Sequence, residues 1–212
     1  MLKKAWLCGL LLVGVAAAAA LRAQDLPAPK EFYFDEDRAT TRAVVAVNAQ
    51  GDVLVDRLAA IVQRNPQASD ARAQLAHVAF AGDRRELGEQ LYQAALGNLT
   101  GNSPLRRAVA WNYGWDLYRA GDADAALAQW AQLLDGRPAA PQWLPPTLAL
   151  ALWSAGRKPE AVVWYAAAVR TWPDRWGDAG NLPRLLPDWS DAERATLAEV
   201  LAAYAADPPA WP

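Results

Sequence analysis

Few side chains in this 212-residue sequence are equipped for covalent chemistry. It has one histidine, His77, and one cysteine, Cys8. A zinc site built from Cys and His, a disulfide framework, a cysteine nucleophile and a Ser-His triad with spare histidines are therefore largely excluded. His77 reads as a polar contact or a satisfied histidine rather than a metal ligand, because no second nitrogen or sulfur ligand accompanies it. Two acidic groupings remain. Asp35-Glu36-Asp37 could bind a cation but reads first as a solvated turn. Asp188 and Asp191 flank Trp189 and could form a carboxylate pair for glycoside hydrolysis. They also stand at an expected helix start, where the dipole favours acids, and one acid pair without a recognisable pocket is a weak catalytic signal. Asn98-Leu99-Thr100 fits the glycosylation sequon, which matters only in a eukaryotic secretory pathway. The expectation is a protein that is not an enzyme and holds no metal and no cofactor.

The first 23 residues, MLKKAWLCGLLLVGVAAAAALRA, set the address. Lys3 and Lys4 precede an uncharged apolar run, small residues follow, and Ala23 can stand just before a cut at Gln24. This is the layout of a secretory signal peptide. The run is short for an uncleaved membrane anchor, and its second half is only weakly hydrophobic alanine. Removing the segment takes Lys3, Lys4 and Arg22, leaving 18 of 21 basic residues against all 23 acids, a balance of −5. That argues against a polybasic surface for nucleic acid or anionic lipid. It also removes Cys8, and a thiol-free chain suits an oxidising compartment. The expected location is the periplasm, if the source is a Gram-negative bacterium, or the secreted fraction, with no integral span after cleavage.

The elements that position the remaining residues are helical. No stretch sustains a period of two, whereas Ala, Leu, Arg, Gln and Glu crowd segments with helical spacing. Ala-Gly-Asp at 81–83 and at 120–122 and Ala-Gly-Arg at 155–157 each separate two apolar stretches. Gly82 to Gly121 is 39 residues and Gly121 to Gly156 is 35. The second unit reads Ala110, Tyr113, Gly114 and Leu117, then Gly121, Ala126, Trp130 and Pro138. The third reads Pro145, Leu148, Ala149 and Leu152, then Gly156, Ala161, Tyr165, Ala168 and Pro173. Small residues let two helices approach, an aromatic fills the space further along, and proline ends the second helix.

This pattern resembles the tetratricopeptide repeat family, whose repeat is about 34 residues. The resemblance covers roughly residues 69–173, divided 69–103, 107–138 and 142–173. An earlier unit matches less closely, with Leu75, Ala76 and Ala79, then Gly88, Tyr92 and Ala95. The implied fold is all-α: a short helical solenoid of about three repeats with a capping helix. Residues 24–37 read as an extended lead-in and 38–66 as a possible degenerate repeat. Residues 174–212 read as an irregular connection followed by the cap over 191–206, opened by a Ser190/Glu193 capping box.

In each unit the packing stripe leaves a second stripe one residue on. It comprises Ala73, His77 and Phe80 in the first unit, Trp111, Trp115 and Tyr118 in the second, and Pro146, Leu150 and Trp153 in the third. The family lines a concave face with its first helices and commonly binds extended peptides there. The resemblance therefore implies a groove formed by His77, Phe80, Trp111, Asn112, Trp115, Tyr118, Arg119, Trp143, Leu150 and Trp153. Phe80, Tyr118 and Trp153 would form an aromatic ladder, Asn112 would hydrogen-bond a peptide backbone, and Arg119 would pair with a carboxylate. Helix-spaced tryptophans also serve as core, and the groove is either open or filled by the chain's own termini.

Four functions compete. The first is an exported adaptor binding a peptide or protein segment of an envelope complex. The second is a carbohydrate- or peptidoglycan-binding protein, with tryptophans stacking on sugar rings. A cell-wall enzyme using Asp188, Asp191 or the acids at 35–37 is the third. The last is a structural subunit whose groove its own termini fill.

Overall fold

The computed structural model describes residues 26–29, 35–134 and 141–210, and among them every regular element is helical, with no strand. The expected export signal and its cleavage point after Ala23, the aromatics Phe32 to Phe34, and Pro138 lie outside the described residues.

Three helix pairs form the body: α2 (Ser69–Ala81) with α3 (Arg85–Gly97), α4 (Pro104–Arg119) with α5 (Ala123–Ala131), and α6 (Leu144–Ser154) with α7 (Lys158–Thr171). Each pair also packs on the next, α3 on α4 and α5 on α6. Before them comes α1 (Gly51–Arg64), which packs on α2. After them, the short α8 (Pro173–Trp176), a 3-10 turn (Ala179–Asn181) and α9 (Leu182–Leu185) lead to α10 (Asp191–Ala206), which packs on α6 and α7. No helix among the described residues is long and apolar enough to cross a membrane.

Local chemistry sets the helix ends. Ser103 caps α4 by accepting from the Arg106 N–H, with Pro104 in the first turn, where its missing donor costs nothing. Asp122 caps α5 through the Ala125 N–H. Ser190 and Glu193 form a reciprocal capping box at α10. Gly121 and Gly156 turn the chain between paired helices at φ +86° and +78°. At the first such turn the left-handed residue is Asp83, one position later than the glycine.

The close approaches follow residue size. A methyl group on Gly114 would lie 2.3 Å from the Trp130 indole nitrogen, and one on Gly88 would lie 2.4 Å from the Phe80 ring. Trp130 is fully buried and donates its N–H to the Trp111 carbonyl at 3.2 Å. Tyr165 is the corresponding aromatic of α7. It is also fully buried, with its hydroxyl donating to the Trp176 carbonyl at 2.9 Å.

Residues 38–50 differ from the expected helix pair. They hold no helix: the chain turns over residues 38–40, bends at Thr41, Arg42 and Ala46, and is otherwise irregular up to Gln50. β-Branched Val44, Val45 and Val47 are poor helix formers, and Gly51 at φ +59° begins the first helix. This strap crosses the side of α2 and α4 that the sequence assigns to ligand.

Candidate functional site

Two segments frame one side of α2, α4 and α6: the strap from the N-terminal end and residues 175–193 from the C-terminal end. Between them lies a cleft of about 540 Å³. Its floor is Trp111, Trp115 and Trp143, and its far wall carries Trp176 and Trp189. His77 of α2 closes one end, and Thr41 and Ala43 of the strap form the near wall.

The tryptophans are a packed chain of rings. Trp143 meets Trp111 at 4.6 Å between centroids, Trp111 meets Trp115 at 5.7 Å, and Trp115 meets Trp189 at 5.0 Å, all edge to face. Trp130 supports Trp111 and Trp115 from behind, at 5.8 and 5.2 Å. Such contacts contribute about 0.5–1.5 kcal/mol each beyond area burial. The consequence for binding is direct. Trp111, Trp115, Trp143 and Trp189 are each 8% exposed and Trp176 is 7% exposed, so little of any ring is open to a ligand.

His77, Asp116 and Arg119 of the cleft are already engaged. His77 Nδ1 contacts the Asp116 carboxylate at 2.9 and 3.1 Å, and the Tyr92 hydroxyl donates to the same carboxylate at 2.6 Å. Arg119 donates to Glu193 of α10 through two nitrogens, at 2.9 and 3.3 Å, and its guanidinium lies 4.9 Å from the Trp115 ring centroid. Burial would raise the Glu193 carboxyl, but Arg119 and Ser190 outweigh it and hold the group below its ordinary value. Burial and the neighbouring Asp116 charge push the Tyr92 hydroxyl well up. Every buried side-chain nitrogen and oxygen among the described residues has a hydrogen-bond partner.

The hydrogen bond to Asp116 holds His77 above the usual histidine value, against burial and the Arg119 charge. The extra attraction between imidazolium and carboxylate is complete below pH of about 6.5 and fades as pH rises through the higher native value. His77 is the chain's only histidine, so its ring resonance is unambiguous. Its NMR titration midpoint is expected above about 6.5, and the stability gap between wild type and His77→Asn should shrink as pH rises above that value. A midpoint at or below the ordinary value would refute the pairing.

The expected groove residues therefore divide. His77, Trp111, Asn112, Trp115, Arg119 and Trp143 line the one cleft. Phe80, Tyr118, Leu150 and Trp153 do not, and no aromatic ladder forms. Phe80 tilts against Tyr92 and Tyr113 in the core, at 6.0 and 6.2 Å. Tyr118 packs on Trp115 and Trp130, and its hydroxyl pairs with Ser154 at 2.9 Å beside a separate recess that Ser190 and Thr196 help to line. Leu150 is fully enclosed, because α10 packs over α6. The Trp153 indole donates to Glu199 of α10 at 2.9 Å, with the Lys158 ammonium 4.6 Å from its ring.

The partners expected for Asn112 and Arg119 come from within the chain. Asn112 donates to the Arg42 carbonyl at 2.9 Å, and the carboxylate on Arg119 is that of Glu193. The acidic cluster at 35–37 also differs from a solvated turn. Glu36 pairs with Arg38 on the surface, but Asp37 meets Arg107 at 3.1 Å with their side chains only 3% and 5% exposed. Arg107 further donates to Thr40, Asn102 and the Leu133 carbonyl, and Trp143 donates to Asp37. Burial would raise the Asp37 carboxyl, but bonds from Trp143, Thr40 and Arg107 outweigh it and keep it low.

Sequence reasoning missed Gln74. Its side-chain oxygen accepts from the Ala46 and Val47 N–H groups at 2.8 and 2.9 Å, and its nitrogen donates to the Val47 carbonyl at 2.9 Å. The available signal was a glutamine inside an otherwise small, apolar stretch. Of the acids proposed for catalysis, Glu36 and Asp188 border the cleft, while Asp191 is bound to Arg194 at 2.6 Å in the first turn of α10. Among the described residues no group of three or more His, Cys, Asp or Glu is placed to hold a metal ion. No family model, curated protein or solved structure matches the chain.

Proposed function

We propose that this is an exported adaptor of the tetratricopeptide type, a non-enzymatic helical solenoid that captures an extended peptide segment of a protein partner in the cell envelope. The observation that carries the reading is the treatment of the strap. Asn112 and Gln74 hold a length of main chain against α2 and α4, as a ligand would be held. The tryptophan-lined cleft continues that surface toward α6, with room for one or two partner side chains. The export address rests on the composition of residues 1–23. Sugar stacking fits less well, because a pyranose needs an open indole face and the cleft offers only roughly 20 Å² of each ring.

Twelve-residue peptides selected from a displayed library on the mature chain provide the test, read by tryptophan emission. Peptides with a bulky apolar residue are expected to enrich and to give a saturable emission change. Arg175→Ala and Asp188→Arg lie at the cleft rim and outside the ring chain. They should weaken binding about tenfold or more, with the melting temperature unchanged. No enriched peptide, together with a saturable response to oligosaccharide or muropeptide fragments, would replace this reading with a saccharide-binding one.

A further inference from the structure

The strap is held in two different ways along its length. From Asp37 to Thr40 it is anchored by side chains: Asp37 and Thr40 are both bonded to the buried guanidinium of Arg107, and Thr40 is completely enclosed. From Arg42 to Ala49 none of its residues is buried, and Val45 is 62% exposed. Its hydrogen bonds to the helices there are the four from Gln74 and Asn112, and all four reach main-chain atoms. Main-chain N–H and C=O groups are common to every peptide, so these hydrogen bonds do not depend on the sequence of residues 42–49, although the Val44 side chain also packs against the core.

Gln74 decides what can take the strap's place. Its carboxamide is largely buried and uses both its oxygen and its nitrogen on the strap. Lifting the strap gives up those bonds for water and uncovers the apolar surface beneath Val44, which favours the closed face when the protein is alone. An incoming ligand restores these bonds only if it brings two successive N–H groups and a C=O together, as a bent peptide main chain does. The segment between Thr41 and Gly51 is long enough to bow outward while Asp37 and Thr40 stay anchored and α1 stays packed on α2.

We propose that the face of α2 and α4 beneath residues 42–49 is a second stretch of peptide-binding surface, closed by the chain's own strap, and that a segment of the partner displaces the strap there and is gripped through its main chain by Gln74 and Asn112. This rests on the reading of this side of the molecule as a peptide site. It adds that the cleft is only the open part of that site.

The test uses the whole mature chain and a fluorescein-labelled synthetic peptide of its own residues 40–50. Ala46→Pro with Val47→Pro removes the two N–H groups that Gln74 accepts and should release the strap. This double variant is expected to bind the labelled peptide at least tenfold more tightly than wild type does, and adding Gln74→Leu should abolish the gain. A folded double variant that binds no better than wild type, or whose binding ignores Gln74→Leu, overturns the proposal. Hydrogen exchange on the wild type gives an independent check. The Ala46 and Val47 amides should exchange orders of magnitude faster than the central amides of α4, and equal protection would also overturn the proposal. Either failure leaves peptide binding in the tryptophan cleft standing, whereas loss of the cleft titration leaves the result with the strap peptide standing.

Discussion

Arg107→Met is expected to destabilise the protein by about 3–5 kcal/mol, among the largest effects of any single change outside the apolar core. The side chain fits the same tunnel, so packing is largely kept and the loss is electrostatic. What disappears is the counter-charge of a carboxylate that is only 3% exposed, together with the donors serving Thr40 Oγ1 and the Leu133 carbonyl. A surface pair such as Glu36 with Arg38 contributes about 0–1 kcal/mol by comparison. At roughly 2–4 °C per kcal/mol for a chain of this size, the melting temperature should fall by about 6–20 °C. Limited proteolysis should then cut first within residues 38–50. A melting temperature within two or three degrees of wild type would mean that Asp37 is not ionised and buried as described.

The second large effect is expected at Trp115. Its indole touches Trp111, Trp130, Tyr118 and Trp189 and lies beneath the Arg119 guanidinium. Trp115→Ala removes the centre of that chain of rings and should cost about 3–5 kcal/mol, a drop of roughly 6–20 °C in melting temperature. The substitution therefore cannot serve as a simple probe of binding, because stability and capture would be lost together. Trp115→Phe retains most of the volume and should recover more than half of the loss. If Trp115→Ala instead melted like wild type, the ring would be a ligand platform and its packed position would be wrong.

The helix pairs were legible because their determinants are local. Ala-Gly-Asp and Ala-Gly-Arg turns, the Ser190/Glu193 box and the match of Gly114 to an aromatic sixteen residues on all act within one unit of the chain. Six of the ten expected groove residues share the cleft for the same reason, since a helical stripe keeps its residues on one side. The failures at Leu150 and Trp153 come from the covering helix. Every position of α6 from Leu144 to Leu152 is buried, and a helix apolar all round is enclosed on every side. That signal was present in the sequence and argues against an open stripe there. The strap was not legible. Its anchor joins Asp37 to Arg107, 70 residues away, and to Trp143, 106 residues away, and no periodicity pairs a charge with a partner at that distance.

The fourth helix receives both ends of the polypeptide: Asp37, Thr40 and Arg42 from one side, Trp189 and Glu193 from the other. The Asp37–Arg107 and Arg119–Glu193 links each close a loop of seventy or more residues, which costs chain entropy before it contributes anything. A plain row of stacked hairpins can assemble by neighbour-to-neighbour zipping and can shed a terminal unit without losing the others. Here assembly completes only when residue 193 has arrived, and neither extremity can peel away without disturbing the middle. The molecule is built as a closed clasp, and its parts melt together.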